Sequence, residues 1–146
     1  MKDNEEVLAA LHRCEEQQKN QGKQPNTVRV KTTLPLDSNE RKNYPLFRGP
    51  LRYFPAAIAA VARVCKIGND KHNPGQEMHH ARGKSTDHPD CIVRHMLDMG
   101  EDSGKGKGRD ENGVPQVDYI AWRALAMAQQ WHEENDGAPL APGAKL

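Results

Sequence analysis

Five of the seven histidines fall between positions 72 and 95, a stretch that also holds Asn73, Lys84, Ser85, Thr86, Asp87 and Arg94, with Lys71 and Asp98 at its borders. Imidazoles, hydroxyls and cations gathered in this way are the groups that bind anions and move protons near neutral pH. The run Gly83-Lys84-Ser85-Thr86 copies the end of a phosphate-binding P-loop, but that motif needs glycine five residues before Gly83, where Met78 stands, and no strand precedes it. A P-loop NTPase is excluded, yet a lysine, two hydroxyls and free backbone N–H groups at a helix start still favour a phosphate. The competing expectation is plain capping, with Ser85 or Thr86 satisfying the helix N-terminus and Lys84 in solvent. Asp87, Cys91, Arg94, His95 and Asp98 follow on successive turns, so Arg94 and His95 can flank an anionic ligand. Alternatively Arg94 pairs with Asp90 or Asp98 one turn away and His95 is a satisfied interior histidine.

Metal chemistry is less well provided. His79 and His80 are adjacent, and with His72 they form no His-x-x-x-His pair and meet no Cys-x-x-Cys pair. A magnesium site needs converging carboxylates, for which Asp87, Asp90, Asp98 and Asp118 are the candidates. Cys14, Cys65 and Cys91 lie far apart and suggest no disulfide framework, and two of them sit in apolar periodic stretches as small buried hydrophobes.

These residues must be held by helices. Residues 4–18 place Val7, Leu8, Leu11 and Cys14 on the stripe of a short amphipathic helix. Residues 19–50 turn polar and proline-broken, an extended arm in which only Thr27–Thr33 alternates well enough for a strand. A first core helix is expected over 55–67, with Pro55 in its first turn and Gly68 closing it, followed by a loop of about sixteen residues to Lys84. The second core helix is expected over 87–99, an exposed charged segment over 101–112, and the longest helix over 115–134. The fold class is therefore all-α, a small helical bundle with an N-terminal helix and extended arm over 1–48, a helical core over 49–136, a flexible tail over 137–146, and at most one short strand pair. Leu, Ile, Val and Phe total only 24 residues, so the fifteen alanines must supply much of a thin core, and self-association through the arm is expected. With 21 basic and 20 acidic residues, general coating of nucleic acid is disfavoured. The polar, acidic start at Met1 to Glu6 and the lack of a long apolar run point to the cytosol and away from a membrane.

The order Arg52-Tyr53-Phe54-Pro55, Ala59-Ala60-Val61-Ala62-Arg63-Val64, Gly68-Asn69-Asp70-Lys71-His72-Asn73-Pro74-Gly75, Lys84-Ser85-Thr86-Asp87-His88, Arg94-His95-Met96-Leu97-Asp98 and Ala121-Trp122-Arg123-Ala124-Leu125-Ala126 resembles the phage-associated dATP/dGTP diphosphohydrolase N-terminal domain family. The likeness runs from Gly49 to Gln129. It implies a small helical phage protein in the bacterial host cytoplasm that handles a purine nucleotide. All-α nucleotide pyrophosphohydrolases hold magnesium with acidic residues spaced three apart on two helices, a pattern missing from the core helices here, and Gln116 stands where many relatives carry histidine. Three functions follow. As a magnesium-dependent (d)NTP pyrophosphohydrolase, the protein would hold Mg²⁺ with Asp87, Asp98 and Asp118, and His95 would act as base with Asp98 in the catalytic centre. As a sponge sequestering a nucleotide immune signal against host defence, it would need no metal. As a structural module, its histidines would only cap and pack. In the first two cases Lys71, His72, Asn73, Lys84, Ser85, Thr86, Arg94 and Arg123 are the candidate nucleotide and phosphate contacts.

Overall fold

Three apolar periods become three helices, two of them rich in alanine. The computed structural model describes residues 32–145, so the expected helix over 4–18 with Cys14, and the arm up to residue 31, lie outside the described residues. Asp37 begins the first element, α1 (Ser38–Arg41), by accepting the N–H groups of Asn39 and Glu40 at 2.9 Å on one carboxylate oxygen. A π-type turn over Phe47–Leu51 then bends at Gly49. Pro55 occupies the first turn of α2 (Pro55–His72), where its missing N–H costs nothing.

Helix α2 does not stop at Gly68 but continues to His72, which corrects the expected end at residue 67. Two polar interactions carry it over the glycine. Lys66 pairs with Asp70 one turn on, at 2.5 Å, and Asn69 points inward, donating to Gln76 O at 3.2 Å and accepting the His79 N–H at 3.2 Å. The long loop expected from residue 69 is correspondingly shortened.

The remaining helices are α3 (His88–Asp98) and α4 (Gln116–Asn135), and α4 lies against both α2 and α3. Gly137, at φ 68°, turns the chain back after α4 in a conformation glycine adopts without penalty. The returning segment pairs with the loop before α3: β1 (His80–Ala81) and β2 (Ala144–Lys145) form a parallel pair with His80 opposite Ala144. Among the described residues one short strand pair thus accompanies the helices, and half of it comes from the segment expected as a tail.

The interior is small and largely polar. Val64 and Val114 are the buried apolar residues among those described, alongside Asn69, Asn73, His88 and Gln116. Val114 lies two residues beyond the segment expected to be exposed, 101–112. There Asp110 accepts the N–H groups of Asn112 at 2.9 Å and Val114 at 2.8 Å, and receives the Tyr119 hydroxyl at 2.8 Å, tying the loop to α4. Burial pushes the Asp110 carboxyl up, but those three donors outweigh it and hold it below its usual range, while burial and donation to Asp110 raise the Tyr119 phenol.

Candidate functional site

The short 3-10 turn Arg82–Lys84 and the start of α3 lie over the middle of α4, and their side chains meet around Arg123. Arg123 Nη1 donates to Ser85 Oγ at 2.7 Å and lies 3.1 Å from His88 Nδ1. Its guanidinium stands 5.4 Å from the centre of the Trp122 ring, and that indole in turn meets His80 edge-on at 5.2 Å. Ser85 therefore does not cap α3. Asp87 occupies the cap position, and its side chain makes no capping bond.

Burial, and then the Arg123 charge, lower the His88 pKa, with Asp87 partly opposing them. Burial, and then Arg82, do the same for His80. Neutral imidazole is the form that lets His88 Nδ1 accept from Arg123, so geometry and electrostatics agree. The ion pairs among the described residues are Lys66–Asp70, Arg82–Glu133, Arg94–Asp87 and His132–Asp136. Arg123 is in none of them. A half-buried guanidinium is thus held by a hydroxyl, an imidazole and an indole, with its charge uncompensated by any carboxylate among the described residues.

The loop bearing Ser85 is fixed from both sides. Lys84 Nζ reaches back to His72 O at 3.0 Å and Asn73 Oδ1 at 3.4 Å, which places its charge at the C-terminal end of α2, where carbonyls lack helical partners. Arg82 pairs with Glu133 of α4 in a largely buried contact, the glutamate side chain being only 6% exposed. Its other oxygen accepts from Gln129 at 2.7 Å and from the Ala141 N–H at 2.9 Å. These donors, Arg82 foremost, hold the Glu133 carboxyl down at about 2.

The other expected site residues are distributed differently. Arg94 donates to Asp87 at 2.6 Å and to Cys91 Sγ at 3.0 Å, a pairing two turns away that replaces the expected partners Asp90 and Asp98. That bond lowers the Asp87 carboxyl and neutralises Arg94 in an exposed position. His95 Nδ1 faces Gln116 Oε1 at 2.7 Å and its ring stacks on Tyr119 at 4.9 Å, so it joins α3 to α4 as an interior histidine. No hydrogen bond among the described residues links it to Asp98. Lys71, the His72 ring and Thr86 are exposed at the rim.

Asp87, Asp98 and Asp118 do not converge. Asp98 lies eleven residues beyond Asp87, about 16 Å along α3 at 1.5 Å per residue, and Asp118 is on α4. No group of three His, Cys, Asp or Glu side chains that could hold a metal occurs among the described residues. The candidate donors therefore do not fit magnesium. His88, Trp122, Arg82 and Glu133 are the residues that sequence reasoning missed, and His80 was weighed only as a metal ligand. His88 and Trp122 lay in the blocks that carried the family resemblance, and Pro89 behind His88 was the local signal that it begins a helix. Compared with protein-family models, curated proteins and solved structures, the chain has no match.

Proposed function

We propose that the protein binds the phosphate of a purine nucleotide, or of a nucleotide-derived signal, without turning it over. The observation that carries this is Arg123, a half-buried cation whose partners Ser85 and His88 are neutral. An anion entering there meets an oriented guanidinium and gives up no competing carboxylate. Lys84 and Lys71 border the same loop with exposed ammonium groups that add attraction at the rim. Purine as the base, and a phage protein acting in the host cytoplasm as the setting, come from the family resemblance. Retention without hydrolysis is favoured because Asp87 is bound to Arg94 and stands far from Asp98 along α3. On this reading the protein is a counter-defence sponge.

Titration calorimetry against dATP, dGTP and cyclic purine nucleotides, with and without Mg²⁺, tests the proposal. Arg123→Gln should weaken binding by about 1.5 to 3 kcal/mol, the range of a charged hydrogen bond. Arg94→Ala should change it little, its charge being already compensated. Release of pyrophosphate from dATP or dGTP by the purified chain would replace sequestration by hydrolysis, and unchanged affinity in folded Arg123→Gln would move the site elsewhere.

A further inference from the structure

Val64 and Val114, at 6% and 0% exposure, are the buried apolar side chains among the described residues, too few to hold three helices of this length in isolation. Apolar side chains stay exposed at several places among the described residues, α4 included, and two of these surfaces carry a charged border. The first is a ridge from Tyr44 to Ile58 in which Phe47 is 69% and Tyr53 72% exposed, with Leu51 and Phe54 beside them. Arg48 and Arg52 are interleaved in it, and no Asp or Glu occurs between Glu40 and Asp70. The second is the outer side of α3, where Val93, Met96 and Leu97 stand in solvent. Its border is acidic: Asp90 and Asp98 lie on the helix and Glu101 just beyond it, all exposed.

These surfaces complement each other in charge while sharing apolar character. An anionic partner such as a nucleic acid or a lipid surface would suit the ridge but be repelled by the border of α3. A second copy of the chain satisfies both at once. We propose that the ridge of one copy packs on the outer side of α3 of a second copy, and reciprocally, in a two-fold dimer. Tyr44, Phe47, Tyr53 and Phe54 alone present about 500 Å² per copy, taking aromatic side chains at roughly 150 to 250 Å² each when fully exposed, and Leu51, Ile58, Val93, Met96 and Leu97 add to it. A standard interface takes about 800 Å² from each partner. Arg48 and Arg52 then meet the acidic border, which sets the register.

Charge reversal tests the pairing. The parent should scatter light as a particle of twice 16.3 kDa. Arg48→Glu with Arg52→Glu, and separately Asp90→Lys with Glu101→Lys, should each abolish the dimer, because each puts like charges across both contacts. Co-expression of the two variants should restore it as a heterodimer, and one chain carrying all four substitutions should dimerise again. Restoration supports the pairing whether or not the separated variants remain folded by circular dichroism. A monomeric parent at micromolar concentration, a doubly substituted variant that stays dimeric, or a co-expressed pair that fails to associate overturns it. So does a monomeric parent that captures oligo-dT or anionic vesicles through Arg48 and Arg52.

Discussion

Glu133→Gln is the substitution that asks most of the structure. Glu133 is 6% exposed and Arg82 18%, and the pair joins the turn before α3 to α4 and, through the Ala141 N–H, to the returning C-terminal segment. Glutamine keeps the shape and one carbonyl acceptor but removes the charge. Arg82 is then left largely buried without a counter-ion, and its Nε already lacks a hydrogen-bond partner among the described residues. A lost charged hydrogen bond costs about 1.5 to 3 kcal/mol and breaking a fully buried pair about 3 to 5, so partial exposure places the cost at about 2 to 4 kcal/mol. For a domain of this size that lowers Tm by about 10 °C. The pH profile adds an independent check. In the parent the folded carboxyl titrates at about 2 against an ordinary value of 4.5. Its stabilisation is complete above 4.5 and drains away as pH falls towards 2. Thermal melts by circular dichroism across that range should show this slope in the parent and its loss in Glu133→Gln. Faster exchange of the His80 N–H, which donates to Gly143 O at 2.7 Å, should accompany it. A variant within about 0.5 kcal/mol of the parent, the scatter of ordinary surface changes, and with the same acid slope, would refute the role given to this pair.

Three further outcomes are expected. Gly68→Ala should stabilise by about 0.5 to 1 kcal/mol in urea denaturation, because Gly68 lies inside α2 and an added Cβ meets nothing within 4 Å. Tyr119→Phe should cost about 1 kcal/mol, the net worth of a hydrogen bond, and an NMR titration should show the Asp110 carboxyl moving back up once that donor is gone. His88 titrates below 6.5 because of burial first and Arg123 second, so its contribution to stability is present above 6.5 and lost as pH falls through its folded value; in Arg123→Gln an NMR titration should place that value higher.

The three long helices were legible because each carries an apolar period, whereas the four polar residues of α1 (Ser38–Arg41) gave none and were expected as part of an extended arm; the end of α2 was missed where polar contacts outvoted a glycine. At Gly68 the local preference for stopping is worth about 1 kcal/mol, and the Lys66–Asp70 pair together with the inward turn of Asn69 is enough to override it. The same limit hid Val114. Its neighbours Glu111, Asn112 and Gly113 read as a solvated loop, and only the hydrogen bonds of Asp110 show that the loop folds under itself. The strand pair was illegible because its partners lie some sixty residues apart, His80 opposite Ala144, and each strand has only two residues.

The candidate site divides along the same line. Residue type placed Lys84 and Ser85 among phosphate contacts and the family resemblance added Arg123, and the structure brings Ser85 and Arg123 together across 38 positions. What residue type could not tell is which cations are already spent. Arg94 and Arg123 are both arginines within a helix; Arg94 has Asp90, His95 and Asp98 within four residues, and Arg123 has no imidazole or carboxylate so near in the sequence. Asp87 stands two turns before Arg94 on the same side and takes its charge, whereas the polar groups facing Arg123 are Ser85 and His88, and burial keeps that histidine neutral. The difference is set by what crosses from α3 to α4, which no helical period records. An anion seeking the strongest field should therefore pass the exposed Arg94 and settle on Arg123, where low local polarity strengthens the attraction and no carboxylate must be displaced.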